Sequence, residues 1–285
     1  MGVSFPSPDG AEISAFSEIS PDAKPLDVFG AEVRRYRKRA GLTQDRLAEI
    51  TMFSQSLIGF IERGERTPSR NFARLCDDAL RAGGELVRLW EHVTRAASPP
   101  WFRGWLDVER EAHTLHTWEP LVVPGLLQTE EYARAVLRGE PGITDEQVEK
   151  AVEARLERQG ILSRPQRPML WVVLDEVVLQ RPVGGRDVMR RQLERLLDSA
   201  ESPRIGIQIV PLELGSTKGA SGAFAIAQIQ GRPDTVYIES AINGNVTDRP
   251  ENVEAIRARY DTIRAEANPR HASIELIRKA EKSWS

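Results

Sequence analysis

Cysteine is almost missing from this chain, which has a single cysteine, Cys76, among 285 residues. One cysteine excludes a disulfide framework within the chain and a zinc site built on cysteines. Long apolar runs are also missing, and the N-terminus lacks the hydrophobic core of a signal peptide. These absences predict a cytoplasmic protein that does not enter a membrane. Cys76 lies in a helical pattern, and we predict that it is a small buried apolar residue.

A strong excess of one charge is lacking too, because the formal net charge is −3. The chain as a whole is therefore not a general binder of polyanions. The charge is uneven, however, since residues 31–70 carry nine basic side chains against five acidic ones. A basic segment in a mildly acidic chain favours DNA binding by one module of the protein.

The length of the chain favours two domains. Residues 1–24 contain several Ser and Pro and few helix formers, which predicts a disordered arm. We predict an α N-terminal helix-turn-helix domain over residues 25–97 and a mixed α/β C-terminal domain with a small sheet over residues 101–285. The sequence Ser-Pro-Pro at residues 98–100 marks the boundary.

Residues 43–68 have the pattern of a helix, a tight turn and a second helix, which is the arrangement that places a short helix in the DNA major groove. Thr43 and Ser54 are suitable N-caps for the two helices, and Gly64 can end the second helix in a left-handed conformation. Other helices are predicted from about residue 25 to 40, 69 to 82 and 85 to 96.

The second helix of this pattern begins with Gln55 and Ser56. Their side chains both donate and accept hydrogen bonds, which suits the edges of bases. The free N–H groups of a helix N-terminus suit phosphate.

Four sequence words resemble the phage-repressor-like helix-turn-helix family, also called the XRE or Cro/C1 family. They are GLTQ at residues 41–44, LAE at 47–49, FSQSLI at 53–58 and IERGERTP at 61–68. The resemblance implies a set of DNA-binding residues, namely Thr43, Gln44, Ser54, Gln55, Ser56, Phe60, Arg63 and Arg66. Gln44 and Arg66 are then expected at phosphates, and Gln55 with Ser56 at bases or the adjacent backbone.

The same resemblance implies a structural ion pair between Arg37 and Glu62, which ties the first helix to the recognition helix. Gly59 and Phe60 depart from the family pattern of a polar residue followed by Arg or Lys. Phe60 offers an apolar contact to a thymine methyl instead. The alternative is a helical domain that binds protein rather than DNA.

The C-terminal part alternates predicted helices with predicted strands. Apolar or alternating runs are typical of strands at residues 169–179, 205–212, 222–229 and 235–240. Amphipathic patterns predict helices at residues 104–115, 129–138, 145–160, 186–199, 250–267 and 271–282.

This part is similar to the C-terminal domain of actinobacterial regulators described as Scr-type and antitoxin-like. The words that carry the resemblance include DVEREAHTLHTWEP at residues 107–120, VPGLLQTEEYARAVL at 123–137, ARLERQGIL at 154–162 and LDEVVLQRPVGG at 174–185. The resemblance implies a partner, which is a small protein encoded by a neighbouring gene.

Residues that could support catalysis or metal binding have simpler interpretations. Asp175 and Glu176 follow a predicted strand, where helix capping or an ion pair with Arg181 is favoured over catalysis. His113 and His116 could share one helical face, but a zinc site needs further ligands. We therefore predict no catalytic residue, no metal site and no cofactor.

Three tryptophans, Trp101, Trp105 and Trp118, lie close in sequence and favour a core position over an apolar pocket. The function that we predict is a sequence-specific transcription regulator that binds a near-palindromic operator as a homodimer and also binds a neighbour-encoded protein. The alternative is a transcription regulator with a small-molecule pocket in the C-terminal domain. An enzyme that uses Asp175 or Glu176 is the third possibility.

Overall fold

The computed structural model describes residues 24–96, 98–240 and 242–284. It divides into two compact units, Met1–Val93 and Thr94–Ser285. The division falls within a helix, slightly before the Ser-Pro-Pro sequence that predicts the boundary. The predicted disordered arm over residues 1–24 lies outside the described residues, apart from Lys24.

The N-terminal unit is built from helices only, within the part of it that the structure describes. They are α1 (Pro25–Arg39), α2 (Gln44–Thr51), α3 (Gln55–Glu62), α4 (Arg70–Leu80) and α5 (Glu85–Ala96). Thr43, Ser54 and Ser69 cap α2, α3 and α4 by accepting the backbone N–H of the third residue after each cap. Because these short polar side chains satisfy helix donors locally, the helix starts were predictable from sequence.

The core of this unit is formed by residues from all five helices. Val33 of α1, Leu47 of α2, Ile58 of α3 and Cys76 of α4 are fully buried in it. A Cβ on Gly30 of α1 would lie 2.3 Å from the carbonyl oxygen of Ile61, so the two backbones approach as closely as a glycine allows.

The C-terminal unit combines helices with a six-stranded sheet. Its helices are α6 (Pro100–Glu111), α7 (Glu130–Leu137), α8 (Asp145–Arg158), α9 (Val177–Gln180), α10 (Arg186–Glu201), α11 (Pro250–Arg264) and α12 (Arg270–Ser283). Its strands are β1 (Thr114–Glu119), β2 (Met169–Asp175), β3 (Ile205–Val210), β4 (Phe224–Gln228), β5 (Thr235–Glu239) and β6 (Gly244–Thr247). The predicted mixed α/β class with a sheet is confirmed.

The strand order is β3-β2-β1-β4-β5-β6. Strands β1, β2 and β3 are parallel, whereas β4 runs antiparallel to β1, and β5 and β6 continue in antiparallel pairs. The parallel half needs helical crossovers, which α7 to α10 provide, while short turns suffice for the antiparallel half.

The prediction of a helix over residues 104–115 was wrong at its C-terminal end, where the central strand β1 begins. The helix ends at Glu111 and the chain is extended from Thr114. Strand β1 carries His and Thr and is only six residues long, so it lacks the apolar run of a buried strand. Its assignment depends on hydrogen bonds to β2 and β4, which the local sequence does not reveal.

Two smaller corrections concern strand ends. A strand was predicted over residues 169–179, but β2 ends at Asp175 and residues 177–180 form the short helix α9. The edge strand β6, with the sequence GNVT, was not predicted, because it has no apolar pattern.

Both faces of the sheet are covered. Helix α11 packs on one face over a core that includes Trp118, Phe224 and Tyr260. The other face packs against the remaining helices over the larger core, which includes Trp105 and Leu193. No helix in the described residues is both long enough and apolar enough to cross a membrane.

Candidate nucleic-acid interface

Helices α2 and α3 are joined by a turn in which Met52 adopts a left-handed conformation, with φ of 59°. Met52 is 88% exposed, so its side chain contributes little to the core. Ile58 and Ile61 anchor α3 inward. The exposed surface of this helix therefore consists of its first turn and Phe60.

Helix α3 is held to α1 by a buried ion pair. Nε and Nη2 of Arg37 donate to the two carboxylate oxygens of Glu62 at 2.5 and 2.8 Å. The Glu62 side chain is 2% exposed and that of Arg37 is 11% exposed. Nη1 of Arg37 also donates to the carbonyl oxygen of Leu42, at 2.8 Å. The ion pair implied by the family resemblance is present, and it joins the C-terminal end of α3 to α1.

The ion pair extends to the surface through two glutamines. Nε2 of Gln44 donates to Glu62 at 2.9 Å, and Oε1 of Gln44 accepts from Nε2 of Gln55 at 2.8 Å. We call the series Arg37, Glu62, Gln44 and Gln55 the polar relay. Because Gln44 both donates and accepts, the relay defines the orientation of both amides.

Gln55 lies at the exposed end of the polar relay. Its amide keeps one N–H and its oxygen for another partner after it has donated to Gln44. One donor and one acceptor on the same planar amide match N7 and the N6 amino group of adenine in the major groove. Ser56 is exposed beside it.

Thr43 and Ser54 use their hydroxyl oxygens as acceptors for helix N–H groups at 3.1 and 3.2 Å. Each hydroxyl proton can still be donated to a phosphate oxygen. The N–H groups of the first turns of α2 and α3 add to this, since they have no partner within the helix.

Arg63, one of the expected DNA-binding residues, is already paired with a carboxylate. Its Nε and Nη2 donate to Glu65 at 2.9 and 2.8 Å, and its guanidinium lies 5.1 Å from the ring centroid of Phe60. Glu65 therefore compensates its charge, and this neighbour was not included among the predicted site residues. Arg66 is exposed, and its side chain makes no hydrogen bond or ion pair with any described residue.

Sequence reasoning also missed the contact between Gln44 and Gln55. Both residues were assigned to DNA, but their contact with each other spans eleven positions and depends on how α2 packs on α3. A pair of glutamines at the first positions of both helices was the only signal in the sequence.

The carboxylates considered for catalysis have structural partners. Asp175 accepts the N–H of Val177 at 2.9 Å and so begins α9. Glu176 accepts the N–H of Leu212 at 2.9 Å and thereby joins the ends of β2 and β3.

The histidines do not share a helical face, because their segment is extended. His113 precedes β1 and contacts the hydroxyl of Thr114, whereas His116 lies under α11 against Tyr260. No group of three or more potential metal ligands occurs in the part of the chain that the structure describes.

The three tryptophans are also separated. Trp105 and Trp118 are buried in the cores on opposite faces of the sheet, and Trp101 is 44% exposed. They therefore do not line a common pocket.

Comparisons with known proteins divide the chain in the same place as the structure. Residues 28–90 match a family described as a helix-turn-helix domain, and residues 102–279 match a family described as a domain of unknown function (DUF5753). The N-terminal part is similar to the uncharacterized HTH-type transcriptional regulator YazB of Bacillus subtilis (strain 168). The identity is 34% over 59 residues, which is 21% of this chain and 86% of that protein. No solved structure matches the chain.

Proposed function

Because the chain belongs to the family defined by the DUF5753 domain, here preceded by a helix-turn-helix domain, we propose that it is a sequence-specific DNA-binding transcription regulator. The observation that carries this proposal is the polar relay. It starts at a buried ion pair and ends at Gln55, on the exposed first turn of the second helix of the motif.

The relay supports base recognition by a physical argument. A surface glutamine ordinarily loses side-chain entropy when it binds a base, and that loss weakens binding. Gln44 already restricts Gln55 in the free protein. Gln55 can then meet an adenine with both its remaining N–H and its oxygen, and Ser56 contacts the neighbouring base or backbone.

Affinity for the phosphate backbone comes from other groups. Arg66 is an exposed cation with no ion pair to any described residue, Thr43 and Ser54 keep hydroxyl protons, and Gln44 offers its backbone N–H. Arg63 contributes when it exchanges Glu65 for phosphate. Phe60, which is 45% exposed, provides an apolar contact for a thymine methyl.

The proposed regulator acts as a homodimer on a near-palindromic operator. Two copies related by a two-fold axis place two α3 helices in successive major grooves about 34 Å apart. The C-terminal unit supplies dimerisation, and it binds a small protein encoded by a neighbouring gene, as antitoxin-like regulators do. We assign no catalytic step to the chain.

Fluorescence anisotropy on DNA from upstream of the gene, compared with random DNA at the same salt concentration, tests base recognition. Gln55→Ala is expected to weaken operator binding by roughly 1–3 kcal/mol and to leave binding to random DNA almost unchanged. Equal losses on both DNAs would remove Gln55 from base recognition.

A matched pair of arginines tests phosphate contact. Arg66→Ala should weaken binding to both DNAs and reduce the salt dependence by about one ion, whereas Arg88→Ala should do neither. Arg88 is the control because it lies on α5 in an exposed ion pair with Glu85.

The partner proposal is tested by repeating the measurement with the neighbour-encoded protein. A change in operator affinity, or a supershifted complex, is the expected result. Unchanged affinity, together with no complex in size-exclusion chromatography, would contradict it.

A further inference from the structure

Two carboxylates lie level with each other on one face of the sheet. Phe224 of β4 pairs with Trp118 on one side and Ile238 on the other. Glu119 and Glu239 are the next residues of β1 and β5, so they lie at the same height and face away from α11. Two strand spacings separate their backbones by about 10 Å.

On this face of the sheet, β4 lies between the two carboxylates and presents small side chains. Ala225 of β4 pairs with both Thr117 and Tyr237, and it faces the same side as the two carboxylates. Although β4 is an interior strand on a face covered by helices, Ala223 and Ala225 remain partly accessible to solvent. A recess therefore opens between β1 and β5, with alanines as its floor.

Helix α8 carries two arginines, Arg155 and Arg158, whose charges lower the pKa of both carboxylates against the larger effect of burial, which raises it. Arg158 is neutralised by Glu109, to which its Nε and Nη2 donate at 2.6 and 2.8 Å. Its guanidinium also lies 4.8 Å from the ring centroid of Phe102. Arg155 differs, because its guanidinium makes one hydrogen bond, from Nη1 to Oε1 of Gln128 at 2.8 Å, and no ion pair with any described residue.

Arg155 and the two carboxylates shift one another's pKa values although no ion pair joins them. Burial raises the pKa of Glu119 to about 8, with repulsion from Glu239 as the second cause. Burial also lowers the pKa of Arg155 to about 10, with repulsion from Arg158 as the second cause, while both carboxylates oppose that shift. Among the described residues, Glu119 accepts a hydrogen bond only from the hydroxyl of Thr117, at 3.0 Å. None of Arg155, Glu119 and Glu239 therefore has an ion-pair partner among the described residues. Glu119 holds a proton below about pH 8, and an ammonium group placed beside it would favour the ionised carboxylate.

We propose that this recess binds a small zwitterion with one ammonium and one carboxylate group, of the size of a free α-amino acid. The carboxylate binds the guanidinium of Arg155, and the ammonium lies between Glu119 and Glu239. A simple anion would leave both carboxylates unpaired, and a simple cation would leave Arg155 unpaired. A zwitterion satisfies all three side chains at once.

The neighbouring aromatic side chains fit such a ligand. The Tyr237 ring lies 5.3 Å from that of Phe102 and 5.6 Å from that of Trp105, which closes one end of the recess with apolar surface. Glu239 is an exposed residue, although partial burial of its carboxyl raises the pKa, and it marks the open rim. Entry is thus from the carboxyl ends of β1 and β5.

Isothermal titration calorimetry of the full chain without DNA tests the inference independently of the proposed function. The probes are the standard α-amino acids, each alone, with acetate and methylamine at the same concentration as single-charge controls. We expect saturable binding of at least one amino acid and none of comparable affinity for acetate or methylamine. Absence of binding by every amino acid, or equal binding of acetate, would overturn the proposal.

Variants locate the site. Arg155→Met and Glu119→Gln should each weaken the binding of that amino acid by at least about 10-fold. Arg190→Met is the control, because Arg190 lies in a surface ion pair with Glu194 on α10. If Arg155→Met does not fold, Glu239→Gln at the exposed rim provides the same test. Full affinity in Glu119→Gln and Glu239→Gln would exclude this recess as the site.

Discussion

The buried pair of Arg37 and Glu62 gives a quantitative test of how the N-terminal unit is held together. Glu62→Leu keeps the volume of the side chain but leaves the guanidinium with only the carbonyl oxygen of Leu42 as a partner. Removing one partner of a buried pair typically costs about 3–5 kcal/mol, and the 11% exposure of the Arg37 side chain favours the lower end. We expect a loss of about 3 kcal/mol.

That loss is large for a domain of this size. Domains typically have about 5–15 kcal/mol of stability in total. At roughly 4–8 °C per kcal/mol for a small domain, the midpoint of thermal unfolding should fall by roughly 12–24 °C. A second variant with Arg37→Met added to Glu62→Leu removes both charges, and it should recover most of the stability.

Thiol labelling measures the stability of the N-terminal unit separately from that of the C-terminal unit. Cys76 is the one cysteine of the chain, it is fully buried in the N-terminal core, and burial raises its pKa to about 12. It should therefore react with a maleimide only when this unit opens. The fraction labelled at increasing urea concentration gives the free energy of unfolding, and labelling in full denaturant should be equal for all variants.

The control is Glu49→Gln, which removes an ion pair with Arg46 in which both side chains are more than 60% exposed, at 62% and 64%. Its cost should stay below about 1 kcal/mol. A cost of the same size for Glu62→Leu would refute the argument from burial. So would a double variant that is no more stable than Glu62→Leu alone. Although its stability is restored, the double variant should bind the operator less tightly than the wild type, since Gln44 has lost Glu62 as its acceptor.

Three further perturbations have defined outcomes. Gly30→Ala places a Cβ 2.3 Å from the carbonyl oxygen of Ile61 and should destabilise the N-terminal unit by about 1–3 kcal/mol in urea unfolding, whereas Gly160→Ala, which meets no atom within 4 Å, should be nearly neutral. Met52→Gly relieves a left-handed residue that is 88% exposed, and it should raise stability by roughly 0.5–1 kcal/mol in the same assay. The pKa of Glu119 is higher in the folded state, at about 8, than in the unfolded chain, so the folded state binds the extra proton. Stability of the C-terminal unit should then fall as pH rises towards 8, by at most about 1.4 kcal/mol per pH unit, and Glu119→Gln should flatten this dependence in tryptophan-monitored unfolding.

The sequence by itself determined the helices of the N-terminal unit. Thr43, Ser54 and Ser69 bond to N–H groups three residues away, and Gly64 adopts a positive φ at the end of α3. These interactions lie within one helical turn, so they are encoded in adjacent residues. The DNA-binding motif was recognisable for the same reason.

Tertiary structure decided the central strand of the C-terminal sheet. Strand β1 has a polar sequence, and its conformation is fixed by parallel pairing with β2, more than fifty residues later, and by antiparallel pairing with β4, more than a hundred residues later. Strand propensity depends on such neighbours rather than on the strand alone. The register of these pairs was therefore not predictable from one sequence.

In both candidate sites, the sequence alone did not show which side chains come together. The sequence identified Gln44 and Gln55 as polar residues at helix starts, but helix packing made them the end of a relay from a buried ion pair. Glu119 and Glu239 are 120 positions apart, and Arg155 belongs to a helix between β1 and β2. Their proximity follows from strand register and helix packing, because side chains distant in sequence meet only when the chain has folded.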